Sequence, residues 1–136
     1  MSRADTQALV QRYYDAFNRG DSDGMLACLT DDVIHDVNQG ERRQGLDKFK
    51  AFNARMDHHY KERLDGIVIM VNEDGSRAAA EFNVNGTYLN TDSGLPEAKG
   101  QTYVLPAGTF FAIRDGKIAR VTTYYNLTDW IAQVAG

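Results

Sequence analysis

The apolar positions of this 136-residue chain follow two rhythms, and the change from one to the other divides it. Over residues 4–18, Leu9, Val10, Tyr13, Ala16 and Phe17 recur every three or four residues, which predicts a helix with one buried face. Ser2 or Asp5 can cap its start, and Gly20 ends it. Asp21-Ser22 then caps a short second helix carrying Met25, Leu26 and Leu29. Residues 33–37 alternate loosely as a strand, and Gln39-Gly40 turns it into a short return strand ending near Gln44. Helical spacing returns in Leu46, Phe49, Phe52 or Asn53, Met56 and Tyr60, a third helix of about four turns.

The second half alternates with period two. Residues 62–73 and 76–90 flank Asp74-Gly75, and residues 103–114 and 117–125 flank Asp115-Gly116; a two-residue Asp-Gly loop is a strong hairpin signal. In the first hairpin, Ile67, Ile69 and Val71 share an apolar face with Ala78, Ala80, Phe82 and Val84. In the second, counting from the turn sets Arg114 opposite Lys117, Ile113 opposite Ile118, Phe110 opposite Val121 and Gly108 opposite Thr123. That register predicts one face of Gly108, Phe110, Ala112, Val121, Thr123 and Tyr125, suited to a pocket wall. Thr109, Phe111, Ile113, Ile118, Arg120, Thr122 and Tyr124 make the other, and a sheet with large residues on both sides often meets helices on one and a second subunit on the other. Residues 91–100 are a polar loop able to rim a pocket, and Asn126 or Thr128 can cap a last helix with Trp130, Ile131 and Val134. Helices followed by a long antiparallel sheet predict an α+β fold, with helices packed on one face of a curved sheet around a cone-like cavity.

Composition narrows the field. The length suits one domain over residues 1–136, and 15 Lys and Arg against 19 Asp and Glu, with no basic cluster, argue against nucleic acid or an anionic membrane as partner. A lone cysteine, Cys28, forms no internal disulfide and lies among Leu26 and Leu29, so burial as a small apolar residue is expected. The polar start and the lack of a long apolar run make a soluble, cytoplasmic protein the default reading. His58 and His59 are neighbours near a helix end, a poor metal pair, and no Cys or His cluster has ligand spacing. Nucleophile elbow, zinc-protease helix and phosphate-cradling loop are all missing, so no metal or other cofactor is implied.

The order of elements, with Val10-Gln11-Arg12-Tyr13, Asn18, Gly20-Asp21, Asp23-Gly24, Asp31-Asp32, Gly45 and Gly116-Lys117, resembles the ketosteroid isomerases. More broadly it resembles the nuclear transport factor 2-like, or SnoaL-like, superfamily, and within it the ketosteroid isomerase-related proteins. The resemblance covers nearly the whole chain and implies the cone-shaped fold. It leaves function open, since that cone hosts isomerases, dehydratases, cyclases, epoxide hydrolases and plain binders.

Isomerase chemistry of that type needs a carboxylate base, a tyrosine donor and a protonated aspartic acid. Tyr13 matches the tyrosine, though a core aromatic with a locally satisfied hydroxyl is an equal reading. For the base, counting forward from Asp31-Asp32 reaches Val37 and counting back from Gly45 reaches Asp36, so the register is open by one residue. Asp36 facing in would bring Asn38 with it; Val37 facing in would bring His35 and an imidazole base. Asp36 is the favoured reading. The second donor falls on Gly108, which has no proton to give, so standard steroid isomerisation is not the expected activity; Thr123 or Tyr125 could supply a replacement hydroxyl. The expected protein is therefore a homodimer holding a small apolar ligand. It acts as a cofactor-free isomerase or lyase through Asp36 and Tyr13, with His35, Asn38, Phe110, Val121, Thr123, Tyr125 and Trp130 lining the pocket. The competing expectation is a binder that keeps the cavity without catalysis.

Overall fold

The computed structural model describes residues 2–136. Ser2 caps helix α1 (Arg3–Asn18) through a capping box, its hydroxyl accepting from Asp5 N–H while the Asp5 carboxylate accepts from Ser2 N–H. A short α2 (Ser22–Leu26), capped by Asp21, leads into strand β1 (Leu29–Val37). The strand starts before the Asp31-Asp32 pair expected to precede it, since both aspartates sit on an exposed stretch that tolerates charge. Strand β2 (Arg43–Gln44) and helix α3 (Leu46–His59) follow, then strands β3 (Tyr60–Val71), β4 (Arg77–Tyr88), β5 (Thr102–Arg114) and β6 (Lys117–Tyr125) and the closing helix α4 (Leu127–Val134).

The strands form one sheet in the order β2-β1-β6-β5-β4-β3. All neighbours are antiparallel except β1 and β6, which run parallel because α3 and the two hairpins lie between them in sequence. The concave side carries Leu64, Ala78, Ala80, Phe82, Val84, Tyr88, Leu105, Phe111 and Val121, buried against Leu9, Val10, Tyr13, Tyr14 and Phe49 of the helices. Burial of this face holds the helices on the sheet, at roughly 1.5–3 kcal/mol for each large apolar side chain.

Both Asp-Gly pairs lie in hairpin turns, Asp115-Gly116 as the expected two-residue loop and Asp74-Gly75 within a longer one, residues 72–76. Asp115 and Gly116 both have positive φ, 54° and 77°, the backbone of the tight hairpin turn that matches strand twist. At the other loop Gly75 has φ 75°, and a Cβ there would lie 2.7 Å from the carbonyl oxygen of Ser2. The tip of the β3–β4 hairpin thereby lies against the start of α1, where the buried Thr6 hydroxyl donates to the Gly75 carbonyl at 2.7 Å.

Two registers depart from a straight count back from the turns: the β3–β4 ladder shifts between Asp65 and Val68, which pairs Glu62 with Gly86, and the β5–β6 ladder shifts near its turn. Beyond Ile113↔Ile118 the β5–β6 ladder shifts, and the next pair is Ala112↔Arg120, so Ala119 has no partner. Phe111 then pairs with Val121, Thr109 with Thr123 and Gly108 with Tyr124. The assignment of β6 stands beyond Ala119, with Val121, Thr123 and Tyr125 on the concave side, whereas Ile118, expected on the outer face with Arg120, is buried in the core opposite Ile113. That of β5 reverses: Thr109 and Phe111 face in, while Gly108 and Phe110 face out, Phe110 being 50% exposed with its ring edge against Tyr124.

Candidate functional site

Strand β1 decides which chemistry reaches the interior. His35 pairs with Val121 and Val37 with Thr123, so both lie on the concave side; His35 is 5% exposed between the rings of Phe49 and Phe52. Asp36, the favoured base, takes the other side. Its carboxylate accepts from Arg42 Nε at 2.8 Å and Nη2 at 2.9 Å, and from the Thr122 hydroxyl at 3.3 Å. Arg42 first, through that hydrogen bond, holds the Asp36 carboxyl below the usual range, the opposite of what a general base at neutral pH needs. His35 is the inward group. Its Nδ1 is buried without a hydrogen-bond partner among the described residues, and burial, helped by the nearby Arg43 guanidinium and opposed by Asp36, pushes its pKa down to about 4. The imidazole is neutral at physiological pH.

Two phenols from α1 reach this interior. Tyr13 packs edge-on against Tyr14 and Phe111, and burial, then Tyr14 and Cys28, raise its ionisation well above the usual value. Tyr14, which no motif in the sequence singles out, packs against Phe82 and Phe111, and its hydroxyl is buried with no hydrogen-bond partner among the described residues. Burial raises its pKa and the neighbouring Thr109 hydroxyl opposes the rise. Thr109 and Thr123 face each other with their hydroxyl oxygens 3.4 Å apart. Gly108 was expected to leave a donor position empty. It lies on the convex side, and its inward neighbour Thr109 supplies a hydroxyl.

A third polar group lies further along the sheet. Glu62, Gly86 and Tyr103 stand side by side on β3, β4 and β5, and the Tyr103 hydroxyl donates to Glu62 Oε2 at 2.5 Å. A Cβ on Gly86 would come within 2.1 Å of the Tyr103 ring, so the missing side chain is what lets the ring lie across β4. Burial raises the Glu62 carboxyl above the usual carboxylate range, while the Tyr103 bond pulls it down. Asp92, in the loop after β4, is buried and accepts from Tyr60 at 2.7 Å and from Arg55 at 2.7 Å. Tyr125 lies between these acids and the β1 end; burial, then Glu62 and Asp92, raise its phenol. Val37, Phe52, Met56, Glu62, Thr123 and Tyr125 are only half-buried although they face the helix-sheet interior. A shallow cleft of about 490 Å³ lies where β6 passes into α4, along Gln39, Tyr124, Tyr125, Leu127 and Ile131.

The other expected lining residues divide. Val121 is fully inward and packs against Phe111's strand. Asn38 is occupied by structure, its amide donating to the Tyr125 carbonyl at 3.1 Å and accepting from Tyr125 N–H at 3.3 Å. Trp130 is buried among Tyr60, Tyr88 and Tyr103 as a packing residue behind the acids. Phe110 belongs to the opposite face, as described. Cys28 is buried, its thiol donating to the Gly24 carbonyl, and burial pushes its pKa up. Among the described residues no three His, Cys, Asp or Glu side chains gather to hold a metal ion, and no helix is long and apolar enough to cross a membrane.

A curved sheet wrapped over an N-terminal helix, with a half-polar interior, defines the nuclear transport factor 2-like class. The chain belongs to the SnoaL-like domain family, whose model matches residues 10–121. Three solved structures, each named "putative polyketide cyclase", are similar throughout. The Pseudomonas putida protein is 64% identical over 93% of this chain and 96% of its own, with a TM-score of 0.92. The Silicibacter protein is 59% identical over 100% and 99%, TM-score 0.96, and the Xanthomonas campestris protein 56% over 96% and 97%, TM-score 0.94. A Mycobacterium tuberculosis LEH-like epoxide hydrolase, 16% identical with a TM-score of 0.71, shares the fold alone. No functionally curated protein matches the chain in sequence. Family and neighbours together fit a protein organised around a small-molecule pocket.

Proposed function

We propose that this protein binds a small, largely apolar compound bearing a carbonyl group or ring in the concave chamber and moves a proton on it without a cofactor, as an isomerase or lyase does. The observation that carries this reading is His35: inward, neutral, and with a nitrogen that no protein group satisfies. An uncharged imidazole can donate its N–H to the oxygen of a carbonyl whose neighbouring carbon loses a proton, or accept that proton itself. The Tyr14, Thr109 and Thr123 hydroxyls sit on the same interior surface as further donors. Ring closure of a polyketide, the reaction in the names of the similar structures, also starts by taking a proton from carbon beside a carbonyl.

The test compares wild type with His35→Gln on a β,γ-unsaturated ketosteroid and on a poly-β-ketone. At least about a tenfold loss in kcat/KM on one of them is expected for the variant. Equal rates would remove His35 from the chemistry. The competing reading is a ligand carrier without turnover, favoured by how weakly an imidazole with a pKa of about 4 holds a proton; saturable steroid binding with no conversion by either protein would establish it.

The outer face supports a second part of the proposal, that a second copy of the chain covers the convex side of the sheet. Phe110, Tyr124, Val68, Met70 and Val104 are exposed there, and Arg120 Nε and Asn85 Nδ2 are buried on it without partners. Light scattering should give twice the 15.2 kDa chain mass for wild type and a single-chain mass for Phe110→Asp/Tyr124→Asp. A wild-type protein that stays monomeric at high concentration would overturn it.

A further inference from the structure

We infer that Glu62, positioned by Tyr103, is a proton-transfer group of the chamber, acting on substrates with an acidic C–H bond beside a carbonyl or similar acceptor. The inference rests on the reading of the chamber as a place of proton transfer and adds a catalytic group to it.

The geometry is unusual for a structural carboxylate. Glu62 occupies an inward position of β3, between the buried Tyr60 and Leu64, where an apolar residue would serve packing better. Among the described residues no Lys or Arg forms an ion pair with it; its partner is a phenol, Tyr103, donating to Oε2 at 2.5 Å. Gly86 stands between the two in the ladder, and any side chain there would displace the ring, so three strands cooperate in making this one contact. The other oxygen, Oε1, has no hydrogen-bond partner among the described residues and is not among their fully enclosed polar atoms, so it is open to a proton donor or acceptor. Tyr125, an inward residue of β6 whose phenol is raised in part by Glu62, also lines the cleft at the start of α4. A carboxyl gripped at one oxygen and free at the other, in a poorly solvated place, is the arrangement a general acid–base needs: fixed direction and reduced hydration.

Burial adds the right tendency, lifting the carboxyl toward neutrality so that it can both take and return a proton. The step balances within the protein. Glu62 Oε1 takes the proton as the substrate C–H bond breaks, and the electron pair moves into the adjoining acceptor to give an enolate. The protonated carboxyl then delivers the same proton to another carbon of that enolate, restoring the carboxylate with no net proton taken up.

The experiment uses 5-nitrobenzisoxazole, whose ring opens on loss of a single C–H proton and which reports a poorly hydrated base directly. Wild-type protein should open it with a pH–rate inflection above the ordinary glutamate range, and Glu62→Gln should lower the rate about a hundredfold. Tyr103→Phe should keep turnover but move the inflection to higher pH, because the bond that lowers the Glu62 pKa is gone; a merely structural Tyr103 would leave it in place. Equal rates for wild type and Glu62→Gln would overturn the inference. If His35→Gln still abolishes the ketosteroid or poly-β-ketone reaction in that case, the inference fails alone. If wild type opens no benzisoxazole above background, the inference fails, and if it converts neither carbonyl substrate either, the reading of the chamber fails with it.

Discussion

Between about pH 7.5 and pH 4.5 the wild-type protein should lose roughly 2.5 kcal/mol of folding stability that His35→Leu does not lose, as read from urea midpoints at matched pH. The sign follows from the direction of the shift. His35 has a folded pKa of about 4 against 6.5 for an unperturbed histidine, so the unfolded chain binds the proton that the folded chain refuses. Its contribution is complete above pH 6.5 and falls away as the pH drops toward 4. At 1.36 kcal/mol per pH unit the whole shift is worth about 3.4 kcal/mol, a large part of the roughly 5–15 kcal/mol that holds a typical domain together. The carboxylates held low by partners, Asp21, Asp32 and Asp36 among them, act mainly below this window, because their loss follows protonation of groups with ordinary values near 3.8. At neutral pH the leucine variant should be at least as stable as wild type, because it removes a buried nitrogen that has no partner. Parallel curves for the two proteins would show that His35 is hydrated after all.

Gly86→Ala should destabilise the fold by about 2–3 kcal/mol, far more than a glycine-to-alanine change in a strand ordinarily does. The added methyl would sit 2.1–2.4 Å from Cζ, Cε2 and the hydroxyl oxygen of Tyr103. The ring has little freedom to retreat, being 3% exposed, edge-on to Trp130 at a centroid distance of 5.9 Å and tied to Glu62. Removing the ring should relieve the clash, so Gly86→Ala/Tyr103→Leu is expected to cost clearly less than the two single changes added together. Strict additivity in chemical denaturation would mean that the ring does not lie over Gly86.

Much of the architecture was legible because it is written in short-range chemistry. The capping residues Ser2 and Asn126, the two Asp-Gly turns and the alternation of Ile67, Ile69 and Val71 against Ala78, Ala80 and Phe82 each depend on neighbours a few residues apart. The site was less legible, for one repeated reason. His35 against Asp36, Thr109 against Gly108 and Tyr14 beside Tyr13 are each one residue from the reading that the resemblance suggested. In a strand a single step exchanges inside for outside, and the steps here come from an unpaired Ala119 and from a parallel β1–β6 pairing that no local pattern announces. Glu62 was hidden for the same kind of reason: counted back from Ile67, Ile69 and Val71 by strict alternation it would face out, and the shift in the β3–β4 ladder between Asp65 and Val68 turns it in, opposite Gly86.

The unpaired Ala119 marks a place where the strand tolerates a change of length. Loss of that one codon would leave Ile118 opposite Ile113, Arg120 opposite Ala112 and Val121 opposite Phe111, so Val121, Thr123 and Tyr125 would keep to the concave side while the local kink in β6 straightens. A relative shorter by that one residue would therefore keep the same chamber lining and differ only in how the hairpin bends.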